Sequence, residues 1–167
     1  MVQLWINLPA KDKMSPPKYQ ALANKDIARY TLENGSGEIE MIAGAYKNVQ
    51  GNASTFYTSE STQCTSHKRS KNGLQLSCAL CNTALFIIEG SIAVNDGEII
   101  YENHFVLLEN SGEDFTIEAM DNARILIMSG EPIHEPIAAH GPFVMNTQAE
   151  IMQTFEDFQQ GKFEYLQ

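Results

Sequence analysis

Short apolar runs that return about every 8–12 residues, each closed by Gly, Asn or Asp, restrict this chain more than any other feature. They fill its second half. Residues 74–79 alternate apolar and polar, and Ala84-Leu85-Phe86-Ile87-Ile88 is a continuous apolar run of the kind a buried strand carries. Glu89-Gly90 breaks it. Residues 91–94 and 98–101 flank Asn95-Asp96-Gly97, a hairpin signal, because these residue types accept the positive φ of a tight turn. Residues 104–108, 115–119 and 123–129 follow, with Gly112 and Asp121-Asn122 between them. Such spacing predicts a β-sandwich or barrel.

The first half is less regular. Leu4-Trp5-Ile6-Asn7-Leu8 reads as a strand that Pro9 stops, and Pro16-Pro17 marks residues 10–18 as a linker or extended arm. Residues 28–32 and 38–42 flank Asn34-Gly35-Ser36-Gly37 and read as a hairpin. The stretch 47–71 is polar and poorly patterned, with one short strand expected near residues 55–58 and long loops around it. At the other end the period changes. Thr147-Gln148-Ala149-Glu150 is a capping box, followed by Ile151, Phe155 and Phe158 on one helical face with Met152 beside them. Gly161 stands where a left-handed C-terminal cap belongs, so one amphipathic helix over residues 147–160 is expected.

At 167 residues the chain can bury a sizeable core. No segment reaches the roughly 18 apolar residues of a membrane span. The opening residues lack the basic and apolar regions of a signal peptide, and three cysteines fit a reducing compartment, so a cytoplasmic location is expected. The net charge of −10 is uneven: up to Gly73 there are nine Lys and Arg against six Asp and Glu, and beyond it two against fifteen. That acidic second part repels a phosphate backbone, so neither nucleic acid nor membrane is an expected partner. The basic cluster His67-Lys68-Arg69-Ser70-Lys71 is too short to reverse this and reads as a solvated loop.

Two segments are more specific than any pattern. One runs Gln3-Leu4-Trp5-Ile6-Asn7-Leu8-Pro9-Ala10-Lys11-Asp12-Lys13-Met14, with Pro17-Lys18-Tyr19-Gln20 after it. The other runs Gly130-Glu131-Pro132-Ile133-His134-Glu135-Pro136-Ile137 and continues to Gly141-Pro142-Phe143-Val144-Met145-Asn146-Thr147. Both resemble the pirin family of the cupin superfamily, the first the end of its N-terminal domain and its interdomain linker, the second the close of its C-terminal domain. The resemblance implies an all-β fold: a double-stranded β-helix, the jelly-roll-like sandwich of cupins, with one C-terminal α-helix. It implies a strand and linker over residues 1–20, a C-terminal cupin over 21–146, the helix over 147–161 and a tail over 162–167. The family is normally a bicupin. Its N-terminal cupin holds iron or a similar metal with three histidines and a glutamate, and some bacterial members oxidise quercetin. That ligand set begins with His-x-His, which puts two imidazoles on one face of a strand. No His-x-His occurs in this sequence, and the resemblance places the chain's start beyond that motif. No catalytic, cofactor-binding or metal-binding residue of the family is therefore carried over.

Other chemistry is sparse. His104 reads as a hydrogen-bonded strand-end histidine, His140 as a surface residue in a turn, and His134 and Glu135 as neighbours on opposite faces of an extended segment. Glu131 and Glu135 read as turn or interface residues. Cys64-x-x-His67 and Cys78-x-x-Cys81 have the spacing of a zinc knuckle, although strand and loop with inert thiols is the preferred reading and no cofactor is expected. The apolar side chains Leu4, Trp5, Ile6 and Leu8 form an expected interface, because an apolar strand without partners needs cover. The expected function is a non-catalytic binding or assembly module, as a homodimer or with a separate N-terminal cupin half. The alternative is part of a metal-dependent quercetin dioxygenase whose metal cupin another chain supplies.

Overall fold

A computed structural model of the chain describes residues 2–54, 61–66, 70–75, 81–112 and 114–163, with the backbone alone for residue 34 and for residues 61–66 and 70–75. The chain divides into two compact units, Leu22–Pro132 and Met1–Ala21 with Ile133–Gln167.

The larger unit is a sandwich of two antiparallel sheets. Its strands are β1 (Ala28–Thr31), β2 (Gly37–Met41), β3 (Ala45–Tyr46), β4 (Val49–Gln50), β5 (Ser61–Ser66), β6 (Ser70–Gln75), β7 (Asn82–Glu89), β8 (Ser91–Val94), β9 (Ile99–Tyr101), β10 (Phe105–Leu107), β11 (Asp114–Ala119) and β12 (Ala123–Gly130). One sheet has the order β1-β2-β5-β12-β7-β10 and the other β6-β11-β8-β9. The inner faces follow from the two-residue period of a strand. Ile39 and Met41 on β2, Leu85 and Ile87 on β7, and Ile125 and Ile127 on β12 point inward from one sheet. Phe115, Ile117 and Ala119 on β11 and Ile92 on β8 meet them from the other.

Local signals placed several turns correctly. The β8–β9 hairpin turns on Asn95 and Asp96, both at positive φ (51° and 59°), and β1 and β2 pair around a 3-10 turn at Glu33–Gly35. The stretch 47–71 departs from expectation. Instead of one short strand, β4, β5 and the start of β6 lie in it, and β5 is central in the larger sheet, hydrogen-bonded to β2 and β12. Its Ser61-Thr62-Gln63-Cys64-Thr65-Ser66 sequence shows no apolar alternation, yet pairing on both sides holds it extended. The expected strand at residues 55–58 lies outside the described residues. The strand expected at 74–79 instead begins at Ser70, and residues 76–79 lie outside the described ones.

The smaller unit holds an extended arm, a 3-10 turn at Ala10–Asp12, the hairpin β13 (Ala138–His140) and β14 (Phe143–Met145), and helix α1 (Gln148–Gln159). Residues 4–8 do not form a strand, contrary to the sequence expectation; they are extended with no ladder among the described residues. A strand needs a neighbour for its amides, and the described residues supply none. On α1 the buried residues are Ile151, Thr154 and Asp157, whereas Phe158 and Met152 are exposed, so the buried face is rotated from the expected Ile151-Phe155-Phe158 stripe.

Gly90, at φ +79°, turns β7 into β8, and a Cβ there would meet the Asn122 carbonyl and lie 2.5 Å from Asp121 Oδ1. Asp121 is not free to move, because its carboxylate accepts from Ser91 N at 2.8 Å and Ser91 Oγ at 3.1 Å. Left-handed backbone and overpacking add, so Gly90→Ala is expected to cost about 2–5 kcal/mol in urea unfolding. A loss under 1 kcal/mol would show that the turn is not strained by a side chain.

Candidate functional site

The smaller unit carries the most unusual surface of the chain. Trp5, the sole tryptophan, is 74% exposed, and Leu4 and Ile6 are each 46% exposed. Leu8 is half-buried. Trp5, Ile6, Leu8, Met14, Phe143 and Phe163 line an open groove of about 490 Å³, within the size range of ligand and peptide clefts. Behind it the Phe143 ring of β14 meets Phe155 of α1 edge-on at 5.0 Å and Phe158 at 5.8 Å. The four residues expected at an interface thus lie on one arm, with Leu4, Trp5 and Ile6 exposed and Trp5, Ile6 and Leu8 lining the groove.

The arm is tied down just past its apolar part. Glu135 Oε2 accepts from the Ala10 amide at 2.7 Å and from Asn146 Nδ2 at 2.9 Å, so one carboxylate joins the arm to the segment before α1. Lys13 Nζ donates to Asn7 Oδ1 at 2.5 Å and to the Val144 carbonyl at 3.4 Å. Next to this, the Thr147 hydroxyl accepts from the Glu150 amide while Glu150 Oε2 accepts from the Thr147 amide at 2.7 Å, closing the capping box. Hydrogen bonds from Thr147 lower the Glu150 pKa below its ordinary value of 4.5. At the other end of α1, hydrogen bonds from Lys162 and Gln153 lower that of Asp157. Glu135 was expected as a turn or interface residue; its role as an anchor carries no local sequence signal, since its partners are 125 and 11 residues away.

Each described histidine has its own surroundings. His104 is exposed, with Nδ1 3.1 Å from the Tyr101 and Glu102 carbonyls. His140 ends β13 with its ring edge-on to Phe155 at 5.4 Å, and His134 adopts a left-handed backbone at φ 54°. Among the described residues no three His, Cys, Asp or Glu side chains could hold a metal. They therefore do not fit the three-histidine, one-glutamate iron centre that the resemblance implies for an N-terminal cupin.

The cysteine cluster meets a geometric obstacle. His67 and Cys78 lie outside the described residues, but the backbone levels of Cys64 and Cys81 are fixed. Cys64 pairs with Ile125 of β12, Ile125 with Ile87 of β7, and Cys81 precedes Asn82, the partner of Gly130. Two strands across and six residues along separate the two Cα atoms by roughly 20 Å. One zinc ion needs both sulfurs about 2.3 Å away, so this register does not close a knuckle from Cys64, His67, Cys78 and Cys81. Cys81, expected as an inert thiol, is disulfide-bonded. Also unforeseen are the exposed Phe105 and Leu107 on edge strand β10, because alternation alone does not reveal which strand ends a sheet.

Two antiparallel sheets around one apolar core, with a single helix near the end of the chain, define an all-β cupin. Residues 67–164 match the Pirin C-terminal cupin domain, and the chain belongs to the pirin family. It is 41% identical, over 98% of its length and 56% of the relative, to a Pseudomonas aeruginosa protein provisionally named quercetin 2,3-dioxygenase. A pirin-like protein of Solanum lycopersicum is 34% identical over 96% of this chain and 55% of that protein. A crystal structure of quercetin 2,3-dioxygenase from Acinetobacter baumannii superposes with a TM-score of 0.89 at 35% identity, covering 98% of this chain and 56% of that one. The chain thus spans little more than half the length of these relatives. No helix among the described residues is long and apolar enough to cross a membrane.

Glu135→Ala is expected to speed hydrogen exchange at the Ala10 amide by about tenfold to a hundredfold, the loss of a charge-assisted hydrogen bond, while β12 amides stay protected. Unchanged exchange at Ala10 would show that the arm is held otherwise. The capping carboxylate makes α1 acid-sensitive. The folded pKa of Glu150 is depressed, so its stabilisation is full above the ordinary value of 4.5 and lost as pH falls through the lower folded value. Helix protection should fall over that acid range, and Glu150→Gln should flatten the dependence. Thr147→Ala should cost about 1 kcal/mol at neutral pH.

Proposed function

We propose that this chain is a non-catalytic assembly module, the C-terminal half of a pirin-type pair of cupins, and that the apolar arm at residues 4–8 is its docking segment onto a metal-bearing cupin. The observation that carries the reading is the arm itself. Trp5 is 74% exposed on an extended segment that joins no ladder among the described residues. Exposed apolar backbone with open hydrogen-bonding groups adds readily to a sheet edge, with main-chain bonds supplying affinity and alternate side chains specificity. The Glu135 anchor at Ala10 holds the base of the arm and leaves its apolar end available. One further point supports the C-terminal-half reading: residues 67–164 match the Pirin C-terminal cupin domain, and the chain spans little more than half of its pirin-like relatives. The dioxygenase names of other relatives favour a second reading, in which the assembled pair oxidises quercetin and this half contributes no ligand.

Trp5 is a built-in probe because it is the sole tryptophan. Mixing the chain with a separately produced N-terminal pirin cupin is expected to give a one-to-one complex by light scattering and a blue shift of Trp5 fluorescence. Trp5→Ala should weaken the complex by about thirtyfold, the effect of a 2 kcal/mol hot spot. A monomer whose Trp5 stays solvent-exposed in the mixture would overturn the assembly reading, and a homodimer that buries Trp5 would replace the partner by a second copy. Quercetin turnover with stoichiometric metal by this chain alone would overturn the non-catalytic reading.

A further inference from the structure

The groove of the smaller unit is apolar along most of its lining, but two polar side chains stand in it. Asn7 and Lys13 lie beside Trp5, Ile6, Met14 and Phe143, and Lys13 is the one charged residue of that lining. Lys13 is half-buried. Its ammonium donates to Asn7 Oδ1 at 2.5 Å and to the Val144 carbonyl at 3.4 Å, both neutral acceptors. An ammonium carries three N–H donors, so one is left over. Among the described residues no carboxylate forms an ion pair with it; the ion pairs there belong to Arg29 and Lys162. Glu150 feels the Lys13 charge, but Glu150 Oε2 is taken by the Asn146 amide and by the amide and hydroxyl of Thr147. The Asn7 side-chain nitrogen is a second open donor. Its oxygen accepts from Lys13, which fixes the orientation of the amide, and Nδ2 donates to no group among the described residues.

We propose that this groove binds a small monocarboxylate with an apolar alkyl or aryl body. The two carboxylate oxygens accept from the spare N–H of Lys13 and from Asn7 Nδ2, and the body lies against Trp5, Ile6, Met14 and Phe143. A half-buried ammonium without an ion-pair partner is an unfavourable feature that an incoming anion relieves. Hydrogen bonds between an ammonium and a carboxylate are charge-assisted and stronger than those Lys13 makes to its neutral acceptors. Apolar walls with a few placed polar groups that fix orientation are the usual make-up of a small-molecule site. The charge count selects the head group. A neutral ligand leaves the ammonium uncompensated, and a cation is repelled by it. A phosphate monoester brings close to two negative charges against one ammonium, with the Glu150 carboxylate near enough to oppose the second. The inference does not rest on the docking reading: it concerns the groove in the chain alone.

The test titrates the full chain with octanoate, octanamide and octylammonium, read by Trp5 fluorescence and independently by calorimetry. Octanoate is expected to bind saturably with a Kd of about 0.1 mM. It should shift Trp5 emission to the blue and leave the mass by light scattering unchanged. Octanamide should bind about tenfold more weakly, the loss of a charge-assisted contact, and octylammonium more weakly still. Hexanoate should also bind about tenfold more weakly than octanoate, because two fewer methylenes reach the groove. In Lys13→Met the octanoate Kd should rise about tenfold and meet that of octanamide, while octanamide keeps its affinity. Equal loss of both ligands would show that Lys13 shapes the groove instead of holding the charge, and would overturn the proposal. So would no saturable response to millimolar octanoate, equal affinity for the three head groups, or octanoate binding unchanged in Lys13→Met. None of these results bears on the docking reading, which the mixing experiment decides.

Discussion

Strand β12 is hydrogen-bonded along both edges, to β5 on one side and β7 on the other, and the sheet unit takes its arrangement from that register. Strands have a period of two, so the register decides which side chains enter the core. Here it buries Ala123, Ile125 and Ile127. These meet Ile39 and Met41 from β2, Leu85 and Ile87 from β7, and Phe115 and Ile117 from the opposite sheet. The same register fixes the distance between Cys64 and Cys81. It thereby keeps apart two of the four side chains that the zinc-knuckle spacing would bring to one ion.

The smaller unit shows what happens when a strand-like sequence has no strand beside it. Residues 4–8 are apolar enough to pair, but ladder hydrogen bonds require a second backbone at about 4.8 Å. Among the described residues they stay extended and unladdered, with Leu4, Trp5 and Ile6 exposed. Their fixed point is electrostatic: the Glu135 carboxylate gathers the Ala10 amide and the Asn146 side chain. An anchored base and an unpaired apolar end are the physical basis for reading the arm as a docking segment.

Legibility differed sharply between elements. The Asn95-Asp96 turn and the Thr147–Glu150 capping box could be read directly, because each depends on groups within four residues of one another. Strand β5 could not. Its Ser, Thr, Gln and Cys residues give no alternation, and its extended form rests on partners in β2 and β12. The rotation of the buried face of α1 was hidden for a related reason. Apolar periodicity marks Phe158, whereas burial falls on Thr154 and Asp157, whose polar atoms find partners in the Glu150 carbonyl and in Gln153 and Lys162. In the candidate site, the identity of the apolar arm was readable, but the Glu135 anchor was not.

By itself the sequence determined the class of fold, the hairpin turns, the capped helix, the family resemblance and the absence of a His-x-His pair. Each of these is written in residue type and short spacing. Only the tertiary structure decided that residues 4–8 join no ladder among the described residues, that β5 is a central strand, that Cys64 and Cys81 lie far apart, and that Glu135 holds the arm. Those outcomes depend on which backbones become neighbours. That is settled by burial of the core faces and satisfaction of main-chain groups across long sequence distances, and no local pattern encodes it.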